Sequence, residues 1–195
     1  MKRLFDIVFS LLGIVLAAPL MLAVALLVYL DDGGPVLYKQ QRVGLNGQLF
    51  NIRKFRTMKN GTPNVPTAQL HEADACIMRF GRFIRGFSLD EIVQLFNILE
   101  GTMSFVGPRP LIPAEKDIHQ LRERYGVYAV RPGMTGLAQI NGRDNLSVEQ
   151  KAAYDKEYVE NHTMALDIKI LLKTVYNVLA RKGVVEGSDS AGPGN

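Results

Sequence analysis

A single cysteine, Cys76, stands among the 195 residues. No internal disulfide can form, and the chain fits a reducing compartment. The three histidines, His71, His119 and His162, lack zinc-ligand spacing, and each reads as a surface or capping residue. Neither G-x-G-x-x-G after a strand nor G-x-x-x-x-G-K-[ST] occurs, so two standard nucleotide cradles are absent. G-x-S-x-G and the zinc-protease motif are absent too. There are no internal repeats. Acidic residues are missing from the whole of residues 33–60. The net charge of +4 and a pI near 9.2 fit an anionic partner, a phospholipid or a phosphate-bearing substrate, and are too mild to argue for nucleic acid.

What is present is unevenly placed. Hydrophobic residues make up 47% of the chain, yet residues 7–30 are apolar apart from Ser10. A helix over those 24 residues would span roughly 36 Å, enough for a bilayer core. The run is too long for a cleaved signal peptide, and no small-residue cleavage site precedes a soluble start. Pro19 removes a backbone donor and disfavours a helical Ala18. A kinked crossing helix and a re-entrant hairpin are both compatible with it. Lys2 and Arg3 precede the run; Lys39, Arg42, Arg53, Lys54, Arg56 and Lys59 follow it, opposed only by Asp31 and Asp32. Both flanks therefore read as cytoplasmic, which favours re-entry over a simple crossing.

Beyond the apolar run, Val36-Leu37-Tyr38 and Leu49-Phe50-Asn51-Ile52 flank the turn Gly44-Leu45-Asn46-Gly47 and predict a β-hairpin. Residues 60–69 hold Gly61, Pro63 and Pro66 and read as a loop. A helix is predicted from about Leu70 to Phe83. Pro108-Arg109-Pro110 is a stiff segment that fixes an arginine, read either as a rigid connector or as an anion contact. A helix from Pro113 to Tyr125 follows, stopped by Gly126. Val130-Arg131-Pro132-Gly133 makes a second stiff turn. Ser147 and Gln150 form a capping box for a helix to about Asn161. Ile168, Leu171, Leu172, Val175 and Leu179 share one face of a last helix, read as core ahead of a membrane surface. The same stripe leaves a homodimer open. The Gly/Ser-rich residues 186–195 are predicted to be a disordered tail. The fold class is α+β and helix-rich: a re-entrant membrane helix-break-helix (residues 1–32), then a compact cytoplasmic domain (33–185) with a small β-hairpin and amphipathic helices.

The chemistry concentrates on Asp90-Glu91. Ser88 and Glu91 have capping-box spacing, which predicts a helix from Leu89 to Glu100 with Gly101 as its stop. Asp90 then lies in a first turn that favours a negative charge. Such a carboxylate can serve as nucleophile or magnesium ligand, with arginines suited to a diphosphate. An ordinary capped helix with acidic residues at its favoured end explains the same residues.

These pieces together resemble the small monotopic phosphoglycosyl transferases, the bacterial sugar transferase family. The resemblance rests on Lys54-Phe55-Arg56-Thr57-Met58, Ser88-Leu89-Asp90-Glu91, Gln94-Leu95-Phe96-Asn97, Met103-Ser104-Phe105-Val106-Gly107-Pro108-Arg109-Pro110, Arg131-Pro132-Gly133, Thr135-Gly136 and Asn141-Gly142-Arg143. It runs from the apolar segment to about Gly183. It implies transfer of a sugar-1-phosphate from a UDP-sugar to polyprenyl (undecaprenyl) phosphate at the bacterial cytoplasmic membrane, the first membrane step of glycoconjugate biosynthesis. By the same resemblance Asp90 is the nucleophile and a Mg²⁺ ligand, and Glu91 its partner. Lys54, Arg56, Arg85, Arg109 and Arg143 collectively contact phosphate and uridine nucleotide, and Pro19 is the membrane break. The sequence departs from the family pattern at Ala18 (often serine), Val93 (often proline) and Thr102 (commonly acidic), and lacks the usual acidic residue after Thr57-Met58. The competing reading is a membrane-anchored scaffold binding anionic lipid through its basic stretch, which leaves Asp90-Glu91 idle.

Overall fold

The computed structural model describes residues 1–62, 73–142 and 145–180. Arg143 and the tail at 186–195 lie outside them, as does part of the loop expected at 60–69. The first helix, α1 (Lys2–Asp32), holds Pro19 inside it and runs on as one segment. The expected break is therefore a missing backbone donor rather than a non-helical stretch.

One stripe of α1 faces the rest of the chain. Asp6, Ser10, Met21, Val24 and Val28 are buried, and Ile14, Ala17 and Ala25 pack against the same core. Both ends are tied down by polar groups. At the start, Lys2 donates to the Val106 carbonyl (3.0 Å) and the Tyr158 hydroxyl (3.1 Å) and pairs with Asp167. Arg3 donates to the carbonyls of Ile98 and Leu99 at 2.6 and 2.7 Å, capping the C-terminal end of a later helix. Buried Asp6 accepts from the Ser104 hydroxyl and the Phe105 amide. At the far end, Asp31 accepts from the Phe80 amide, and Asp32 accepts from Arg56 and from the Asn60 amide, each at 2.8 Å. The opposite stripe is exposed and apolar, with Leu4, Leu16, Leu22, Leu26 and Leu30 prominent. An apolar face of that length requires lipid or another protein to cover it.

The hairpin expected from sequence is present. Strands β1 (Leu37–Val43) and β2 (Leu49–Phe55) pair antiparallel in the register Leu37 to Phe55. Asn46 and Gly47 both take positive φ in the turn. Of the helix expected from about Leu70 to Phe83, residues 70–72 lie outside the described ones, and the rest does not form one helix. A short 3-10 turn, Ala73–Cys76, leads into a bridge between Met58 and Ile77, and α2 (Gly81–Gly86) starts only afterwards. The backbone there is used for pairing: Met78 donates to Thr57 and Lys59 to Cys76. Gly81 sits so close that a Cβ would lie 2.2 Å from the Thr57 carbonyl oxygen.

The helix expected from Leu89 begins as a 3-10 turn, Leu89–Gln94, and becomes α3 (Leu95–Glu100), closed by Gly101 at φ 90°. Asn97 is buried there and ties α3 to β2, accepting from the Arg53 amide and donating to the Asn51 carbonyl. Two stiff proline turns then run side by side. Strand β3 (Ser104–Val106) pairs parallel with β4 (Gly133–Thr135), and Gly133 donates to the Pro108 carbonyl. Only glycine fits at this contact, since a Cβ on Gly133 would lie 2.1 Å from the Gly107 nitrogen.

Helix α4 (Lys116–Arg124) starts three residues after Pro113. Glu115 folds back to accept from the Ile112 amide at 2.9 Å, which holds that turn out of the helix. Next come a short helix, α5 (Leu137–Ile140), and α6 (Val148–Asn161), which carries the complete Ser147–Gln150 capping box. The last helix, α7 (Met164–Leu179), corrects an expectation. Ile168, Leu172 and Val175 are exposed at 48%, 67% and 57%, so the stripe is not core; of it, Leu171 packs inward. The polar anchors set this rotation. Asp167 meets Lys2 and Tyr158, Thr174 meets Thr135, and Ile170, between them in the sequence, is buried.

The main core joins α1, the hairpin, α2 and α3; a second cluster joins Val106, Leu137, Tyr158 and Ile170; a third joins Leu111, Ile118 and Ala152.

Candidate active site

Asp90 and Glu91 lie in the 3-10 turn between α2 and α3, against strand β2. Ser88 enters this turn in the left-handed region, at φ 54°, and its side chain makes no cap hydrogen bond. The capping box is thus absent, because the backbone at Ser88 is turned the wrong way to present the hydroxyl to the helix. Glu91 is released from that role. Its carboxylate lies 2.6 Å from the Lys54 ammonium, with Arg109 Nη2 at 3.7 Å. Lys54 also stands 4.0 Å from Asp90.

The side chain of Asp90 is only 14% exposed. Burial pushes its pKa up to about 6; Lys54 and Arg85 pull down and Glu91 pushes up, and burial prevails. The favourable helix start expected from sequence does not hold this carboxylate low. A 3-10 turn of six residues has too little aligned dipole to offset desolvation. At pH 7 a group of pKa near 6 is still about 90% ionised.

Arg109 is positioned by its backbone. Arg122, from α4, donates to the Arg109 carbonyl at 2.9 Å. Arg42, from β1, donates to the Pro110 carbonyl at 3.2 Å, and the Val43 amide to Leu111 at 3.0 Å. Arg122 is itself held by buried Asp155, whose carboxyl burial pushes upward against the pull of that guanidinium. The stiff Pro-Arg-Pro segment therefore aims its arginine at Glu91 from a fixed frame.

Of the cations named from the sequence, Lys54 and Arg109 lie against Glu91, and the Arg85 charge acts on Asp90. Arg56 does neither. Its guanidinium, nearly buried, binds the Asp32 carboxylate and the carbonyls of Asp32 and Gly33, and so clamps the end of α1 to the hairpin. Strand alternation would put Lys54 and Arg56, two residues apart, on one face; Arg56 lies beyond the end of β2 and is held instead by Asp32 and Gly33 at the end of α1. Arg42 was not among the expected site residues, yet Glu91 and Arg109 both act on its charge. The acid-free stretch that contains it was the available signal. Among the described residues, no group of three or more histidine, cysteine or acidic side chains is placed to hold a metal. A magnesium ion at Asp90 would have to draw most of its ligands from substrate phosphates and water.

The sequence matches the family described as "Bacterial sugar transferase" over residues 1–181. The chain belongs to the bacterial sugar transferase family. It is 42% identical over 198 aligned positions to "Undecaprenyl-phosphate galactose phosphotransferase" of Salmonella typhimurium, covering 94% of this chain and 41% of that protein. It is 40% identical to "UDP-glucose:undecaprenyl-phosphate glucose-1-phosphate transferase" of Caulobacter vibrioides, covering 91% of this chain and 69% of that one. It is 36% identical to "Exopolysaccharide production protein ExoY" of Sinorhizobium fredii, covering 93% and 87%. The chain thus spans about two fifths of the length of the Salmonella relative. The family match takes in both the acidic pair and the long apolar helix.

Proposed function

We propose that this sugar transferase moves a sugar-1-phosphate from a UDP-sugar to undecaprenyl phosphate in two steps through Asp90. The observation that carries the reading is a mostly buried carboxylate, with a pKa near 6, set beside Glu91 and cations in a chain of this family. Relatives named for undecaprenyl-phosphate sugar transfer support the substrate pair. In the first step an Asp90 carboxylate oxygen attacks the β-phosphorus. The bridging bond to the α-phosphate breaks and UMP leaves. In the second step a phosphate oxygen of the lipid attacks the same phosphorus, the bond to Asp90 breaks, and the carboxylate is restored. Glu91 accepts the proton if the lipid phosphate arrives protonated. Lys54 and Arg109 hold diphosphate oxygens; Arg109 donates in a fork suited to two of them. Asp90 would hold Mg²⁺, which would supply neutralisation of the developing charge. An anionic-lipid scaffold has no use for a carboxylate kept in so costly an environment.

The same reading places the protein at the cytoplasmic face of the inner membrane, with α1 entering and leaving on one side. Its two ends are fixed by charged contacts to one domain, which a crossing helix would place on opposite faces. The exposed apolar faces of α1 and α7 then meet phospholipid.

Intact-mass measurement after incubation with UDP-sugar and Mg²⁺ alone tests the mechanism. A phospho-sugar adduct that is absent from Asp90→Asn is expected. Turnover retained in that variant would sink the covalent route.

A further inference from the structure

The acidic pair sits in a turn that runs straight into α3, so the placement of α3 sets the placement of Asp90 and Glu91. A helix of six residues has little stability of its own, and its last carbonyls need donors from elsewhere. The first turn of α1 supplies them. The Arg3 guanidinium forks onto two consecutive carbonyls, Nη1 to Ile98 at 2.6 Å and Nη2 to Leu99 at 2.7 Å. Gly101 leaves room for the fork, since a Cβ there would lie 3.0 Å from Arg3 Nη2. The Gly101 carbonyl accepts in turn from Arg131 Nε, at 2.8 Å, out of the second proline turn. Further along α1, Gly13 meets the opposite end of α3: a Cβ on it would lie 3.2 Å from a Leu95 methyl. Helix α3 therefore lies along the start of α1 and is held at both ends.

The same turn of α1 grips the segment that carries Arg109. Buried Asp6 accepts from the Ser104 hydroxyl at 3.1 Å and the Phe105 amide at 3.2 Å, and Lys2 donates to the Val106 carbonyl. Those three residues are β3, which leads directly into Gly107-Pro108-Arg109-Pro110. One helical turn thus holds both segments whose side chains meet where Arg109 approaches Glu91 at 3.7 Å. A cation that only anchors a membrane helix needs no such geometry. Lysine would serve there as well as arginine, whereas two parallel donors in one plane require a guanidinium.

We propose that the first turn of α1 is a brace for the active site, with Arg3 the positioning residue that keeps the acidic pair in register with Arg109. The inference rests on the transferase reading above and adds a residue that acts through the α3 backbone. A shift of about 1 Å in α3 would carry the attacking oxygen with it, and misplacement on that scale costs about 10- to 100-fold in rate. The brace also makes a complete site conditional on a seated α1.

The test compares the full chain in lipid nanodiscs as wild type, Arg3→Lys and Arg3→Met. Lysine keeps the charge of the α1 flank and loses the fork. UMP release is measured against UDP-sugar concentration. The titration of Asp90 is followed separately, by infrared difference spectra against Asp90→Asn. In Arg3→Lys, kcat is expected to fall about 10-fold or more with KM for the UDP-sugar nearly unchanged. Its Asp90 should titrate below the wild-type value of about 6, because a loosened turn admits water while Lys54, Glu91 and Arg85, the charged groups acting on it, are unaltered. Arg3→Met should lose at least as much. A folded Arg3→Lys with wild-type kcat and wild-type Asp90 titration overturns the brace and leaves Arg3 a flank charge. So does a variant that loses thermal stability alone, or one whose two α1 ends label from opposite faces of sealed vesicles, which would assign Arg3 to topology. The two readings fail separately. A lowered Asp90 titration in protein that releases no UMP would keep the brace and refute the transfer reaction. UMP release undiminished in Arg3→Lys would do the reverse.

Discussion

Replacing Asp90 by asparagine should stabilise the protein while removing its activity, and the gain should depend on pH in a defined way. The carboxyl group titrates near 3.8 in an unfolded chain and is pushed up to about 6 in the fold. Its protonated form is therefore favoured by the fold. That contribution is fully present below pH 3.8 and is lost as pH rises through about 6. Above pH 7 the wild type carries the whole penalty, a difference of some two pKa units or about 3 kcal/mol. Asparagine mimics the neutral acid at every pH. It should gain about 3 kcal/mol at pH 8, roughly 6–12 °C in Tm for a chain of this size, and almost nothing near pH 3.5. Thermal unfolding in detergent, followed by circular dichroism for both proteins across that range, measures it. A variant no more stable than wild type at pH 8, or one with the same gain at pH 3.5, would refute the claim that burial controls this carboxylate.

Further expectations concern the neighbours. Lys54→Met removes the principal charge opposing Asp90 burial, so the acidic limb of the pH–rate profile should move up by about one unit; an unmoved limb would separate Lys54 from Asp90. Arg56→Met removes the ion pair of Asp32 at the end of α1, leaving it the Asn60 amide, and should cost roughly 3 kcal/mol of stability, with KM for the UDP-sugar unchanged in protein that folds. A raised KM at unchanged Tm would return Arg56 to the phosphate site. Single cysteines at Leu4 and Gly34, in a Cys76→Ala background, should label from the same face of sealed vesicles. Labelling from opposite faces would exclude re-entry.

Much of the molecule is written locally. The hairpin follows from alternation around Gly44-Leu45-Asn46-Gly47, and α6 from the Ser147–Gln150 box, because their determinants lie within a few residues of each other. The acidic pair was visible for the same reason, as were Lys54 and Arg109. The Ser88–Glu91 spacing misled because capping requires a particular backbone angle at Ser88, and the approach of α2 sets that angle instead. The α7 stripe misled because a helix can turn either face inward, and contacts with Lys2, Tyr158 and Thr135 chose.

The sequence by itself determined the family, the long apolar segment and the residue types able to attack and bind phosphate, since these depend on composition and on motifs. Only the tertiary structure decided which cation serves which carboxylate. It gave Lys54 and Arg109 to Glu91, took Arg56 for α1, and brought Arg42 to the Pro110 carbonyl. It also decided that Asp90 sits near its point of titration. Burial and the summed field of distant residues set a pKa, and neither quantity exists until the chain has folded.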